Sequence, residues 1–287
     1  MTTGVRLSLF AVLLAALFAG AAVVGAAVNP SGSDEGDGHA DAGNGGMADH
    51  AADHGGDTES FTATLPGLAV AQDGYRLAMK RTAYQRSARP QRLAFQIVDE
   101  RGHPVRDYDV AHEKRMHFIV VRRDFADFQH LHPRMRSDGT WTQRVTFTHG
   151  GSYRVFADFE RGGEQHTLGT DVQVAGDFRA KPLPAPRRTI RSEAGLEVTL
   201  HARDGRVGFD VRDEGVVVND RLEAYLGAKG HLVALRRGDL AYLHTHPQGD
   251  KLAFETTYPT AGAYRLFVQF SYEGRIHTAA FTQQVSR

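Results

Sequence analysis

The sequence predicts an all-β protein: two tandem β-sandwich domains behind an apolar N-terminal helix and a disordered tether. Three observations carry that expectation. First, the chain repeats itself. Shifted by 114 positions, residues 93–133 fall on 207–247 without a gap, with nine identities in 41 positions. After a three-residue difference the match resumes at a shift of 111, placing "GGSYRVFADF" (150–159) on "AGAYRLFVQF" (261–270) and His166-Thr167 on His277-Thr278. Second, each copy is a series of short β-branched and aromatic runs broken by Gly, Pro, Asp or Asn. Third, no long helical periodicity follows the N-terminal apolar segment.

That segment comes first. "LSLFAVLLAALFAGAAVVGAAV" (7–28) is 22 residues without a charge. A signal-peptide core needs about 7 to 15 apolar residues and a bilayer span about 20, which favours a signal anchor over residues 1–28. A cleaved signal peptide is the alternative, because small residues around Ala19 to Ala27 offer a cleavage site. Arg6 precedes the segment and acids follow it, so the bulk of the chain is expected outside the cytoplasm. It would be held in the cell membrane by a single pass, or secreted if the segment is cut. Residues 29–60 are rich in Gly, Asp, Ala and Ser and build no core. They make a tether with a reach of roughly 30 Å. His39, Met47, His50 and His54 lie in it, so it reads either as a solvated acidic linker or as a loose metal-gathering tract.

Residues 61–178 form the first repeat, with strands over "LAFQIVDE", "MHFIVVRR", "TQRVTFT", "YRVFADF" and "TLGTDVQV". "SDGT" (137–140) is a hairpin signal. In "YRVFADF", Tyr153, Val155, Ala157 and Phe159 share one face; the copy presents Tyr264, Leu266, Val268 and Phe270. That alternation predicts a half-buried strand with its other face in solvent. Seven or so strands in about 100 residues predict an immunoglobulin-like sandwich. Tyr153 and Tyr264, each opening a late strand just after a glycine, are placed as tyrosine corners. Val155 and Leu266 stand where immunoglobulins keep a cysteine. Residues 179–188, "RAKPLPAPRR" from 179, are a Pro-rich connector, and 189–287 form the second repeat.

Composition excludes several functions. The chain has no cysteine, which removes disulfides, thiolate zinc sites and thiol nucleophiles. Its formal net charge is zero. Residues 1–60 hold eight acids and one base, leaving 33 bases against 26 acids in the remainder. That surplus forms no basic block, so no nucleic-acid partner is expected.

The histidines carry the functional signal. His130 and His132 precede Pro133, and His244 and His246 precede Pro247. Residues two apart on a strand share a face. If "MHFIVV" (116–121) pairs antiparallel with "FQHLHP" (128–133) so that Val121 faces Phe128, His117 faces His132 with His130 diagonal to both. The shift of 114 carries that register to His231, His244 and His246. His166 and His277, at the start of the last strand, are candidate fourth ligands. Neutral imidazoles in threes and fours suit copper, zinc and nickel. Of the twelve histidines in 61–287, eight stand at four repeat-equivalent positions. Met116, Met135 and His112 occur only in the first copy, and Met116 should point away from His117. The competing reading makes the histidines structural, packed at the rim of an interaction module. The sequence leaves open whether the copies bind separately or share an ion. The double arginines 122–123 and 236–237 read as solvated turns, and His103, His149 and His201 have no repeat partner.

The stretches "HEKRMHFIVVRRDFADFQHLHP…DGTW" and "YLGAKGHLVALRRGDLAYLHTHP…GAYRLFVQF" resemble a family of exported, membrane-anchored bacterial proteins with tandem HxHP-containing β-sandwich units, of the heavy-metal-binding or secreted type. More distantly the units are similar to YtkA-like and CopC-like copper-associated sandwiches. The resemblance implies metal handling at the cell envelope. The expected function is therefore a membrane-tethered metal-binding protein, copper preferred and zinc next, that sequesters, buffers or passes on its ion. Another envelope metal-handling protein is the expected partner. Catalysis is not expected, since no Asp or Glu flanks either His-x-His as a general base and no G-x-S-x-G motif is present. The alternative is a tandem immunoglobulin-like interaction module that takes no metal.

Overall fold

The computed structural model describes residues 65–192, 194–203, 205–243 and 245–286. The apolar segment 7–28, the tether and His244 lie outside the described residues, as does the side chain of His246. Among the described residues, no helix is long and apolar enough to cross a membrane.

The first repeat contributes β1 (Ala71–Gln72), β2 (Tyr75–Met79), β3 (Ala83–Gln85), β4 (Ser87–Val98), β5 (His117–Arg122), β6 (Gln129–Leu131), β7 (Arg134–Met135), β8 (Trp141–Phe147), β9 (Gly151–Arg161) and β10 (Glu164–Ala175). The second contributes β11 (Thr189–Arg191), β12 (Glu197–Arg203), β13 (Arg206–Asp213), β14 (Val216–Val217), β15 (His231–Arg236), β16 (Tyr242–Leu243), β17 (Thr245–Pro247), β18 (Ala253–Thr256), β19 (Gly262–Tyr272) and β20 (Arg275–Val285). In the first sandwich β1-β2-β4-β8-β7 faces β3-β10-β9-β5-β6. This is the arrangement of an immunoglobulin-like fold, with one strand, β3, pairing parallel to the last strand. The second sandwich sets β11-β12-β13-β18-β17 against β16-β15-β19-β20, the same order with no counterpart of β3 among the described residues.

Each sandwich has its own core. Phe95, Phe118, Trp141, Phe147, Tyr153 and Phe159 anchor the first; Phe209, Phe254, Tyr264, Phe270 and Phe281 anchor the second. Both tyrosine corners form. Tyr153 Oη donates to the His149 carbonyl at 2.9 Å and to Asp127 at 2.6 Å, and Tyr264 Oη donates to the Thr260 carbonyl at 2.8 Å. The hairpin at 137–140 closes through Arg136 N–H to Thr140 O at 2.9 Å.

Two expectations are corrected. Strand β9 is not half-buried: Tyr153 through Phe159 are buried on both faces, because the second sandwich covers the face that was expected to meet solvent. A third apolar cluster fills that contact, joining Ile119, Val121 and Phe156 to Val233, Leu235, Leu240, Tyr242 and Phe267. Nor is Arg122 solvated. It is 1 % exposed and clamps the following turn through two 2.7 Å bonds to Asp124. Its repeat equivalent Arg236 holds Asp239 in the same way.

The contact between sandwiches is reciprocal. Ile119, Val121 and Phe156 stand at the repeat positions of Val233, Leu235 and Phe267. Phe128 stacks on Phe267 at 4.0 Å and 4°, while its equivalent Tyr242 packs on Phe156 at 5.5 Å. The chain enters the first sandwich along this seam. The Pro66 carbonyl accepts from Tyr242 N–H at 2.9 Å, and Gly67 N–H donates to Thr167 O at 2.8 Å.

Candidate metal centre

The ladder between β5 and β6 pairs Phe118 with Leu131, Ile119 with His130 and Val120 with Gln129. This is the register in which Val121 opposes Phe128 and His117 opposes His132. Strand β5 alternates between two destinations. Phe118 and Val120 enter the sandwich core, so His117, Ile119 and Val121 face the seam. Met116 accordingly lies in the core, turned away from His117. Buried Pro133 follows, with no N–H for the ladder, and the chain crosses to β7 in the other sheet.

Strand β15 keeps the same register with β16, pairing Ala234 with Leu243 and Leu235 with Tyr242. His231 therefore also faces the seam, with Val233 and Leu235. Beyond Leu243 the copies diverge. In the second repeat β17 has already joined the opposite sheet, where the His246 backbone pairs with Glu255.

The seam gathers imidazoles from both repeats. His117, His130 and His132 offer ligand atoms that all lie within 4.8 Å of one another. His231 stacks on His117 with ring centroids 5.5 Å apart and lies 5.9 Å from His130. His112 approaches His231 at 4.9 Å. A cavity of about 20 Å³ lies among His112, His117, His130, His231, Asp158 and Tyr242. That is room for one water molecule or one bare ion.

The tautomers follow from the acceptors around the rings. Ala111 O lies 3.1 Å from His117 Nε2 and can only accept, so Nε2 carries the proton. Gln269 Oε1 lies 2.8 Å from His130 Nδ1, while Gln269 Nε2 is committed to Thr278 Oγ1 at 3.0 Å. His130 Nδ1 is therefore the donor. His117 Nδ1 and His130 Nε2 lie 3.1 Å apart. The Leu226 carbonyl accepts from the His231 ring. Nε2 of His231 and Nε2 of His132 are both buried with no hydrogen-bond partner among the described residues. Each of three rings thus donates one N–H to a fixed carbonyl or amide oxygen, which is how metal-binding histidines are oriented.

Protonation does not relieve this crowding readily. Burial, then the neighbouring His117 and His132, push His130 down to about 3, against the partial support of Gln269. Burial, then His117 and Lys114, push His132 down to about 3. Burial, then His130 and His117, do the same for His231, again to about 3. His130, His132 and His231 are therefore neutral at ordinary pH.

His166 and His277 are not brought to this cluster. His166 pairs with Phe159 and His277 with Phe270, both of which point into the sandwich cores. Alternation puts these histidines on the opposite face of the sheet from His117 and His231. His166 packs on Tyr75 and Phe159 at 4.8 and 5.2 Å; His277 stacks on Phe270 at 5.6 Å and bonds the Tyr272 carbonyl at 3.1 Å. Of the second His-x-His pair, His244 lies outside the described residues, and only the backbone of His246 is placed. Reasoning from sequence undervalued His112 and missed Gln269, Asp158 and Tyr242. The signal available for the first two of these was a polar residue among aromatics at one repeat position, "FADF" and "FVQF".

No curated protein matches the chain. Among solved structures, a filamin domain of Lin-41 is 14 % identical, with 39 % of this chain and 98 % of that one covered and a TM-score of 0.24. A Salmonella alpha-2-macroglobulin is 14 % identical with a TM-score of 0.28, covering 77 % of this chain but 15 % of its own. A marsupial T cell receptor is 12 % identical, with 74 % and 96 % covered and a TM-score of 0.23. At these scores the likenesses carry no argument. The family match is of another kind, since one family's sequence model fits the chain twice, over 69–176 and again over 191–287, once for each repeat. The chain belongs to the family described as Domain of unknown function (DUF8832).

Proposed function

We propose that the protein binds one transition-metal ion at the seam between its repeats, through His117, His130 and His132 of the first and His231 of the second. The observation that carries this reading is the donor set. His117, His130 and His132 bring ligand atoms within 4.8 Å of one another, His117, His130 and His231 line one small cavity, and Nε2 of His132 and Nε2 of His231 are buried with no hydrogen-bond partner among the described residues. Imidazole sites of this kind suit copper and zinc, and among divalent ions the Irving–Williams order puts copper ahead of zinc. With residues 7–28 as an anchor, the protein would hold or pass on its ion outside the cytoplasm, exchanging it with another envelope metal-handling protein.

The test is a titration of the full chain with copper and zinc, repeated on His130→Ala/His132→Ala and on His231→Ala. One ion per chain should be lost in either variant, although the mutations lie in different repeats. If neither variant changes the stoichiometry, or the parent binds nothing tighter than millimolar, the reading is wrong. One observation favours the structural alternative. The His130–Gln269 bond ties the two sandwiches together without a metal. On that reading, stability under a chelator falls in both variants and metal addition changes nothing.

A further inference from the structure

The cavity holds a second buried group of a different kind. Asp158 is 5 % exposed, stands opposite His117 in the β5–β9 ladder and lines the same cavity. Its carboxylate accepts from Gln165 Nε2 at 2.6 Å, Thr167 Oγ1 at 2.8 Å and, across the seam, Tyr242 Oη at 3.4 Å. All three partners are neutral. A buried carboxylate is ordinarily balanced by a cation, because leaving an isolated charge in a low-dielectric site is costly. Beside it lie four imidazoles, all electrically neutral when they act as ligands. The lining carries one negative charge, so one positive charge completes it.

The repeat sharpens the point. The position equivalent to Asp158 in the second copy is Gln269, which lies in the same seam as a neutral amide. One carboxylate and one amide thus occupy the two related places. A monovalent ion leaves the pocket neutral. A divalent ion leaves a net charge of one, whose solvation cost on burial has no protein group to offset it.

We infer that the seam cavity is charge-matched to a monovalent transition-metal ion, Cu(I), with Asp158 as its buried counter-charge and the residue that sets the valence of the site. This rests on the metal reading above. Met116 and Met135 are packed on the core of the first sandwich, so selection for Cu(I) here comes from charge and desolvation instead of from a thioether ligand.

The experiment is an anaerobic competition titration of the full chain with Cu(I) against bicinchoninate, alongside Zn(II) against a chromophoric chelator. The seam site is read as the component lost in His130→Ala/His132→Ala, which sets aside any binding by the tether. Cu(I) should fill that component ahead of Zn(II). Asp158→Asn should lower its Cu(I) affinity at least tenfold, and Asp158→Glu should restore most of it. If Zn(II) fills the site first, or Asp158→Asn binds Cu(I) as the parent does, the charge-matching inference fails while the metal reading stands. If no metal binds the seam, the metal reading itself fails. The parent's order of metals needs no variant, so the inference remains testable even if Asp158→Asn does not fold.

Discussion

At the scale of single residues, the cluster is built from groups whose ordinary behaviour is suppressed by their surroundings. His130, His132 and His231 are each pushed down to about 3 from an ordinary 6.5, chiefly by burial. Between those two values the unfolded chain binds protons that the folded chain does not, so stability rises with pH there. The metal-free protein is therefore expected to be fully stabilised by these groups above about pH 6.5 and to lose that contribution as pH falls toward 3. The slope is at most about 1.4 kcal/mol per pH unit for each ring, and less for His132, which is only partly buried. Urea denaturation from pH 7 to 4 in the presence of a chelator checks this. In His130→Ala/His132→Ala the slope should flatten. The first His-x-His-Pro segment was legible at this scale, since spacing alone puts His130 and His132 on one face. Asp158 and Gln269 were not, because a polar residue in a strand reads as solvent-facing until something covers it.

At the scale of elements, an antiparallel ladder admits two parities; the site expected from sequence was conditional on the one that places His117 opposite His132, and the β5–β6 ladder has it. The same alternation decided against His166 and His277, whose partners Phe159 and Phe270 are core residues. What local periodicity could not express was the second burial of β9, since its cover comes from residues more than 70 positions away. The entry segment is a further element that only the fold reveals. Gly67 has a φ of +75° and threads between the sandwiches, and a Cβ there would lie 2.6 Å from the Phe156 ring and 3.0 Å from Tyr242 Cβ. Gly67→Ala combines left-handed strain with overpacking, and a loss of about 2 to 4 kcal/mol is expected. Gly102→Ala serves as the control: its φ is +81°, yet nothing lies within 4 Å of the new Cβ. It should cost about 1 kcal/mol. Equilibrium denaturation of the two variants separates crowding from backbone strain.

At the scale of the whole molecule, the seam makes one unit out of two repeats. Its eight buried apolar residues come from both sandwiches, and parting the sandwiches would expose them to solvent. A single thermal transition is therefore expected for residues 65–287 in the intact chain. Val233→Asp places a charge among Ile119, Val121 and Leu235, at a cost of several kcal/mol. It should split the transition into two, read by scanning calorimetry, and abolish ion binding although no ligand is touched. That coupling would distinguish a seam site from one contained in a single repeat.

The reciprocity of the seam has a consequence for ancestry. Phe128 on Phe267 and Tyr242 on Phe156 are one contact made twice, and His117 meets its own counterpart His231 at the centre. A face that packs against a copy of itself is the signature of a twofold homodimer. The tandem chain thus has the form of such a dimer fused end to end. Fusion freed the two halves to differ. One half could then keep a carboxylate where the other holds an amide, an asymmetry that a symmetric pair of identical subunits has no means to acquire.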